Sequence, residues 1–181
     1  MKPNTTELVF IIDRSGSMSG LESDTIGGLN SMLEKQKAIE GECKLTTVLF
    51  NHEYQLLHDR MDLGVVKSLT ENDYEVGGCT AMIDAIGHSI QKIINAQAQV
   101  DPANRPGKVL FVIITDGLEN ASHYYNVIQV RKMIETQKVL HDWEFLFLGA
   151  NIDAVETAEH FGISRDHAQD FHSDPQGVQK F

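Results

Sequence analysis

Two apolar runs in this chain end abruptly in acidic and hydroxyl residues. Leu8–Ile12 runs into Asp13-Arg14-Ser15-Gly16-Ser17, and Val109–Ile114 runs into Thr115-Asp116-Gly117. Between them, Gly77-Gly78-Cys79-Thr80 leads into a helical pattern and sets Thr80 at its N-terminus. Asp13, Ser15, Ser17, Thr80 and Asp116 all offer hard oxygen, with no nitrogen or sulfur among them. That set favours Mg²⁺ or Mn²⁺, ahead of Ca²⁺, over zinc or copper. Two carboxylates balance the ion's charge, and neutral hydroxyls leave it electrophilic. Mg²⁺ takes about six oxygens and usually keeps waters, so a position stays open for an outside oxygen. Ser15 and Ser17 can turn toward one centre because Gly16 between them tolerates unusual backbone.

Other chemistries fit less well. A metal-dependent phosphoryl hydrolase with Asp13 as nucleophile is the alternative reading. Phosphatases resembling haloacid dehalogenases place a second Asp two residues later as acid/base, where this chain has Ser15. A serine cannot be tuned to that proton transfer as a carboxylate can. A serine-hydrolase elbow is absent, because the centre of G-S-M-S-G is Met18. A phosphate loop is absent too, since Gly107-Lys108 is followed by Val109. The eight histidines show no H-E-x-x-H or H-x₃-H spacing and read as surface or packing residues. Asp84, early in its helix, reads as a partner of the helix dipole. Cys79 reads as a small buried hydrophobe. Arg14 either meets an anionic partner or is solvated, while the loops around Met18, Glu119 and Asn120 are expected to supply shape contacts around the site. No enzymatic activity is expected.

The elements that must position these residues follow from patterning. Leu8–Ile12, Val109–Ile114 and Phe145–Leu148 are continuous apolar runs, as in strands covered on both faces. Apolar residues at helical spacing mark helices over about 21–40 and 81–98, and another spanning Val127, Val130, Ile134 and Leu140. Leu45–Phe50 and Tyr54–His58 flank Asn51-His52-Glu53 as a hairpin. Residues 60–76 read as a connection crossing the sheet. Asp153-x-x-Glu156 opens a further helix that stops at Gly162, and a sixth strand is expected near Ala168–Phe171. Strands alternating with helices predict an α/β fold with a doubly wound, mostly parallel six-stranded sheet, one antiparallel edge strand and helices on both faces. In such sheets ligands bind beyond the carboxyl ends of the strands, where strand order reverses.

Composition is consistent with this. The 181 residues are 41% hydrophobic and 23% charged, as in ordinary globular proteins. A chain of this length buries roughly 70% of its unfolded surface without staples. With 15 Lys+Arg against 26 Asp+Glu, the net charge of −11 repels nucleic-acid backbones and anionic membranes. Two cysteines make no disulfide framework. No leader pattern opens the sequence and no apolar run approaches the ~20 residues of a membrane span, so the expectation is a cytoplasmic protein.

In this context D-R-S-G-S-M, G-G-C-T-A-M-I-D-A-I and I-I-T-D-G-L carry a resemblance. They match, in order and setting, the D-x-S-x-S, Gly-Gly-x-Thr and strand-ending Thr-Asp-Gly segments of von Willebrand factor A domains. The likeness runs from about Glu7 to Gly162. It implies a metal-ion-dependent adhesion site formed by Asp13, Ser15, Ser17, Thr80 and Asp116, and protein binding through Mg²⁺. The intracellular bacterial branch is the closer one, since no leader or disulfide is visible. The family ends in a helix, which this chain barely begins at Ser173-Asp174-Pro175 before Phe181. The expectation is therefore one such domain over 1–181 that stops short of its last helix.

Overall fold

The computed structural model describes residues 1–116, 119–149 and 154–170. Strand β1 (Lys2–Asp13) is central, and helix α1 (Glu22–Lys37) leads from it to β2 (Glu42–Phe50). A hairpin joins β2 to β3 (Tyr54–Asp62), after which residues 63–76 return across the sheet toward α2 (Met82–Ala98). Strand β4 (Pro106–Thr115), α3 (Val127–His141), β5 (Glu144–Gly149), α4 (Ala154–His160) and β6 (Ala168–Asp170) complete the order. The sheet reads β3-β2-β1-β4-β5-β6, with every pair parallel except β2 and β3. This is the six-stranded doubly wound α/β arrangement expected from patterning.

Strand alternation divides the core into two layers. Val9, Ile11, Phe111, Ile113, Phe145 and Phe147 face α2, α3 and α4. Leu8, Phe10, Ile12, Val112 and Ile114 face α1 and the 63–76 connection, which contributes Leu63, Val66, Leu69 and Tyr74. The central strands are therefore buried on both sides, which is why they read as unbroken apolar runs.

The boundaries differ from expectation where pairing overrides composition. β1 starts at Lys2, six residues before its apolar run, because Thr5 and Thr6 already pair with β2 and Thr6 with β4. β3 continues to Asp62 through a bulge, so the first part of the 60–76 segment is strand. At that bulge Arg60 takes a left-handed conformation (φ 47°) and its guanidinium reaches under the sheet to Glu7. Both bonds of this fork are 2.9 Å long, and Glu7 is wholly buried. The proposed capping residue Asp153, the end of the expected sixth strand at Phe171, and the 173–175 helix start lie outside the described residues.

His58 on β3 offers a pH test of packing. Its Nδ1 lies 2.9 Å from Thr47 Oγ1. Burial pushes its pKa below the ordinary 6.5, opposed by the charge of Asp73. A depressed folded pKa favours the neutral ring, so its stabilisation is present above about pH 6.5 and lost as pH falls through the folded value. Urea midpoints should fall between pH 7.5 and 5.5 less steeply in His58→Gln than in the parent. Parallel curves would remove His58 from the account.

Candidate metal centre

Strand order reverses between β1 and β4, one linked outward to β2 and the other to β5. Asp13 and Asp116 stand at the carboxyl ends of these two strands. Asp13 is wholly buried; its Oδ1 accepts the Ser15 amide at 2.7 Å and its Oδ2 the Thr115 hydroxyl at 2.7 Å. Ser15 and Ser17 hydroxyls lie 3.0 Å apart, and Ser17 donates to Asp116 Oδ1 at 2.8 Å. Four of the five expected residues thus form one side-chain group, bridged by Ser15 N–H and a serine pair.

Thr80 is brought alongside by its backbone. The Gly16 amide donates to Gly78 O at 3.0 Å and the Gly77 amide to Arg14 O at 2.9 Å, which docks the 77–80 segment on the 13–17 loop. Gly78 has φ +77° and its Cβ position lies 2.4 Å from His52 Nδ1, so a side chain there would be strained and would clash. Asn120 clamps the other side of Thr80, its Oδ1 accepting Thr80 N–H at 2.8 Å and its own N–H donating to Thr80 O at 3.0 Å. Tyr74, buried on the α1 side, donates its hydroxyl to the Asp13 carbonyl, and burial pushes its pKa well up.

The electrostatics are unbalanced. Among the described residues neither Asp13 nor Asp116 has an ion-pair partner, and both are buried. Burial raises the Asp116 pKa, the Ser17 hydrogen bond lowers it, and the charge of Asp13 raises it. Arg14 turns instead toward Glu53, at 3.7 Å. The donor set fits a hard divalent cation: it is all oxygen, it carries two negative charges, and Ser17 donates to Asp116 while accepting from Ser15, which leaves lone pairs on both serine oxygens. Among the described residues no group of three His, Cys, Asp or Glu side chains is arranged for a metal.

The other residues singled out in the sequence take the following places. Met18 is fully buried and offers no side chain to a partner. Glu119 turns inward: its Oε2 accepts the Ile83 amide at 2.9 Å, and its Oε1 accepts the amides of Ala121 and Ser122. It therefore caps α2 from another segment, since α2 has no side-chain cap at its own N-cap residue, Ala81. Asp84 stands in the first turn of α2, where its charge favours the helix dipole, and its carboxylate also accepts the amides of His123, Tyr124 and Tyr125 at 2.7–2.9 Å. Cys79 is exposed rather than buried. Cys43 is half-buried, and burial followed by the charges of Glu7 and Asp62 raises its thiol to about 11, which keeps it protonated. An acid amid the apolar stripe of α2 was the available signal for Asp84; nothing local marked Glu119 or Asn120.

No protein-family model matches the chain, and no curated protein matches it in sequence. Solved structures do. Proximal thread matrix protein 1 from the mussel byssus superposes with a TM-score of 0.64 at 12% identity, over 98% of this chain and 43% of that one. The manganese-loaded TRAP protein of Plasmodium vivax gives 0.58 at 19% identity, over 81% of this chain and 57% of that one. The chain thus spans about half the length of these proteins. At such identities the likeness concerns the fold alone, the six-stranded, mostly parallel α/β sheet described above. Among the described residues no helix is long and apolar enough to cross a membrane.

Proposed function

We propose that the protein is a non-enzymatic, divalent-metal-dependent protein-binding module of the von Willebrand A kind, of an intracellular bacterial type. The observation that carries this reading is a pair of buried carboxylates, Asp13 and Asp116, joined through the Ser15 amide and the Ser15 and Ser17 hydroxyls, with no ion-pair partner for either among the described residues. Asp13, Ser15, Ser17, Thr80 and Asp116 would hold Mg²⁺ or Mn²⁺. The ion would supply an electrophilic position for one Asp or Glu carboxylate of a partner protein. The protein's net charge of −11 makes long-range steering of an anion poor, so attraction must be short-range. The same reading keeps Cys43 and Cys79 as free thiols in the cytoplasm.

Thermal melts with metal and with chelator test it. Binding to the folded state alone stabilises by about 2.7 kcal/mol at a hundredfold excess over Kd. For a chain of this size that is a rise of roughly 5–10 °C in Tm. Asp116→Ala should abolish the rise with helical and strand content intact, and superimposable curves for the parent would refute the reading. Phosphoester turnover that vanishes in Asp13→Asn would favour the hydrolase instead.

A further inference from the structure

The rim continues into a second recess on the α2 side. It is a cleft of about 110 Å³ whose lining includes Phe50, His52, Glu53, Tyr54, His88 and Tyr124. Ala81 follows Thr80 directly, and its amide donates to Asn51 O at 2.8 Å, while the Asn51 side chain holds Gly77 O at 2.9 Å. The cleft wall and the Thr80 segment are therefore one hydrogen-bonded body. The His88 ring is surrounded, with Tyr54, Tyr124 and Tyr125 centroids at 5.7, 5.4 and 5.2 Å. Tyr54 is fixed by its hydroxyl against Ser89 at 3.1 Å, whereas Tyr124 is 76% exposed.

The chemistry of this lining selects a sign of charge. Aromatic faces carry negative quadrupole density and attract ammonium or guanidinium groups placed over them. The Glu53 carboxylate has Arg14 at 3.7 Å and His52 at 4.0 Å, both beyond the roughly 2.7–2.9 Å of a charge-assisted hydrogen bond. Its oxygens keep acceptor capacity toward the cleft. The negative Asp84 also lines the cleft. A neutral donor could hydrogen-bond to Glu53 but would lack the coulombic attraction of the carboxylates and of the aromatic faces.

We infer that this cleft receives a Lys or Arg side chain of the protein partner, beside the carboxylate directed to the metal centre. The joint engagement rests on the metal-site reading above; the cleft's preference for a cation does not.

The test is an NMR titration of the full chain with n-butylguanidinium and with its neutral isostere n-butylurea, in chelator and again in Mg²⁺. The guanidinium should shift the ring signals of Tyr54, His88 and Tyr124 in both conditions, and the urea should bind at least about fivefold more weakly. Glu53→Gln and Tyr124→Ala, both exposed positions, should each weaken the guanidinium about three- to tenfold with unchanged circular dichroism. Equal binding of the two probes, shifts confined to other residues, or indifference to both variants would overturn the inference. Guanidinium binding without any metal-induced rise in Tm would leave the cleft standing and remove the metal reading.

Discussion

Replacing Arg60 by Ala is expected to lower unfolding free energy by about 3–5 kcal/mol, the cost of leaving a buried charge without its partner. Glu7 lies on the central strand with no solvent exposure, and the Arg60 guanidinium supplies its two 2.9 Å bonds. Without it the carboxylate must stay charged in a poor medium or take up a proton. Arg60 retains 23% side-chain exposure, so its own loss of solvation is modest. The paired substitution Glu7→Leu with Arg60→Met should recover most of the loss, because an apolar pair of similar volume often equals a buried ion pair. Urea unfolding followed through Trp143, the sole tryptophan and buried at 4% exposure, reads both. A loss below 1 kcal/mol in Arg60→Ala would mean that water reaches Glu7 and that the pair behaves as a surface bridge.

The second large effect falls on Asp84. Its carboxylate holds three consecutive amides, those of His123, Tyr124 and Tyr125, and the α2 position itself is 93% removed from solvent, leaving 7% exposed. Hydrogen bonds to a charged acceptor contribute about 1.5–3 kcal/mol each, and stranded donors cost about as much. Asp84→Ala should therefore destabilise by about 3 kcal/mol or more and loosen the 119–125 segment that clamps Thr80. Asp84→Asn keeps one carbonyl oxygen for Tyr124 and Tyr125 but turns an NH₂ toward the His123 amide, so its loss should be smaller. The decisive readout is the metal-induced rise in Tm. It should persist in Asp84→Asn, since both oxygens of this carboxylate already accept backbone amides; its disappearance in a folded variant would make Asp84 a ligand.

The contrast between these residues and the metal centre shows what a sequence can reveal. Asp13, Ser15 and Ser17 are local to one strand end, and Asp116 ends a second run of the same kind. Topology alone sends both ends to the same rim. Thr80 is announced by the glycine pair before it, whose conformation few other residues adopt. The Glu7–Arg60 fork spans 53 positions and depends on a one-residue bulge, which no periodicity encodes. Glu119, Asn120 and Asp84 act on backbone amides of segments distant in sequence. Backbone donors are the same for every residue type, so their partners leave no mark in the pattern.

The bulge at Arg60 also bears on how the protein behaves at high concentration. A six-stranded open sheet presents two rows of unpaired amides and carbonyls, and a long flat border of that kind invites another chain to extend it. One border here is β6, only three residues long. The other is β3, nine residues long, with Tyr54, Leu56 and Met61 partly exposed along it. Its pairing register is broken twice, and Asp59, Arg60 and Asp62 are grouped at the break. An incoming strand would lose register within a few residues and bury charge as it did so. The same kink that brings a guanidinium under the sheet thus guards the open border against runaway strand addition.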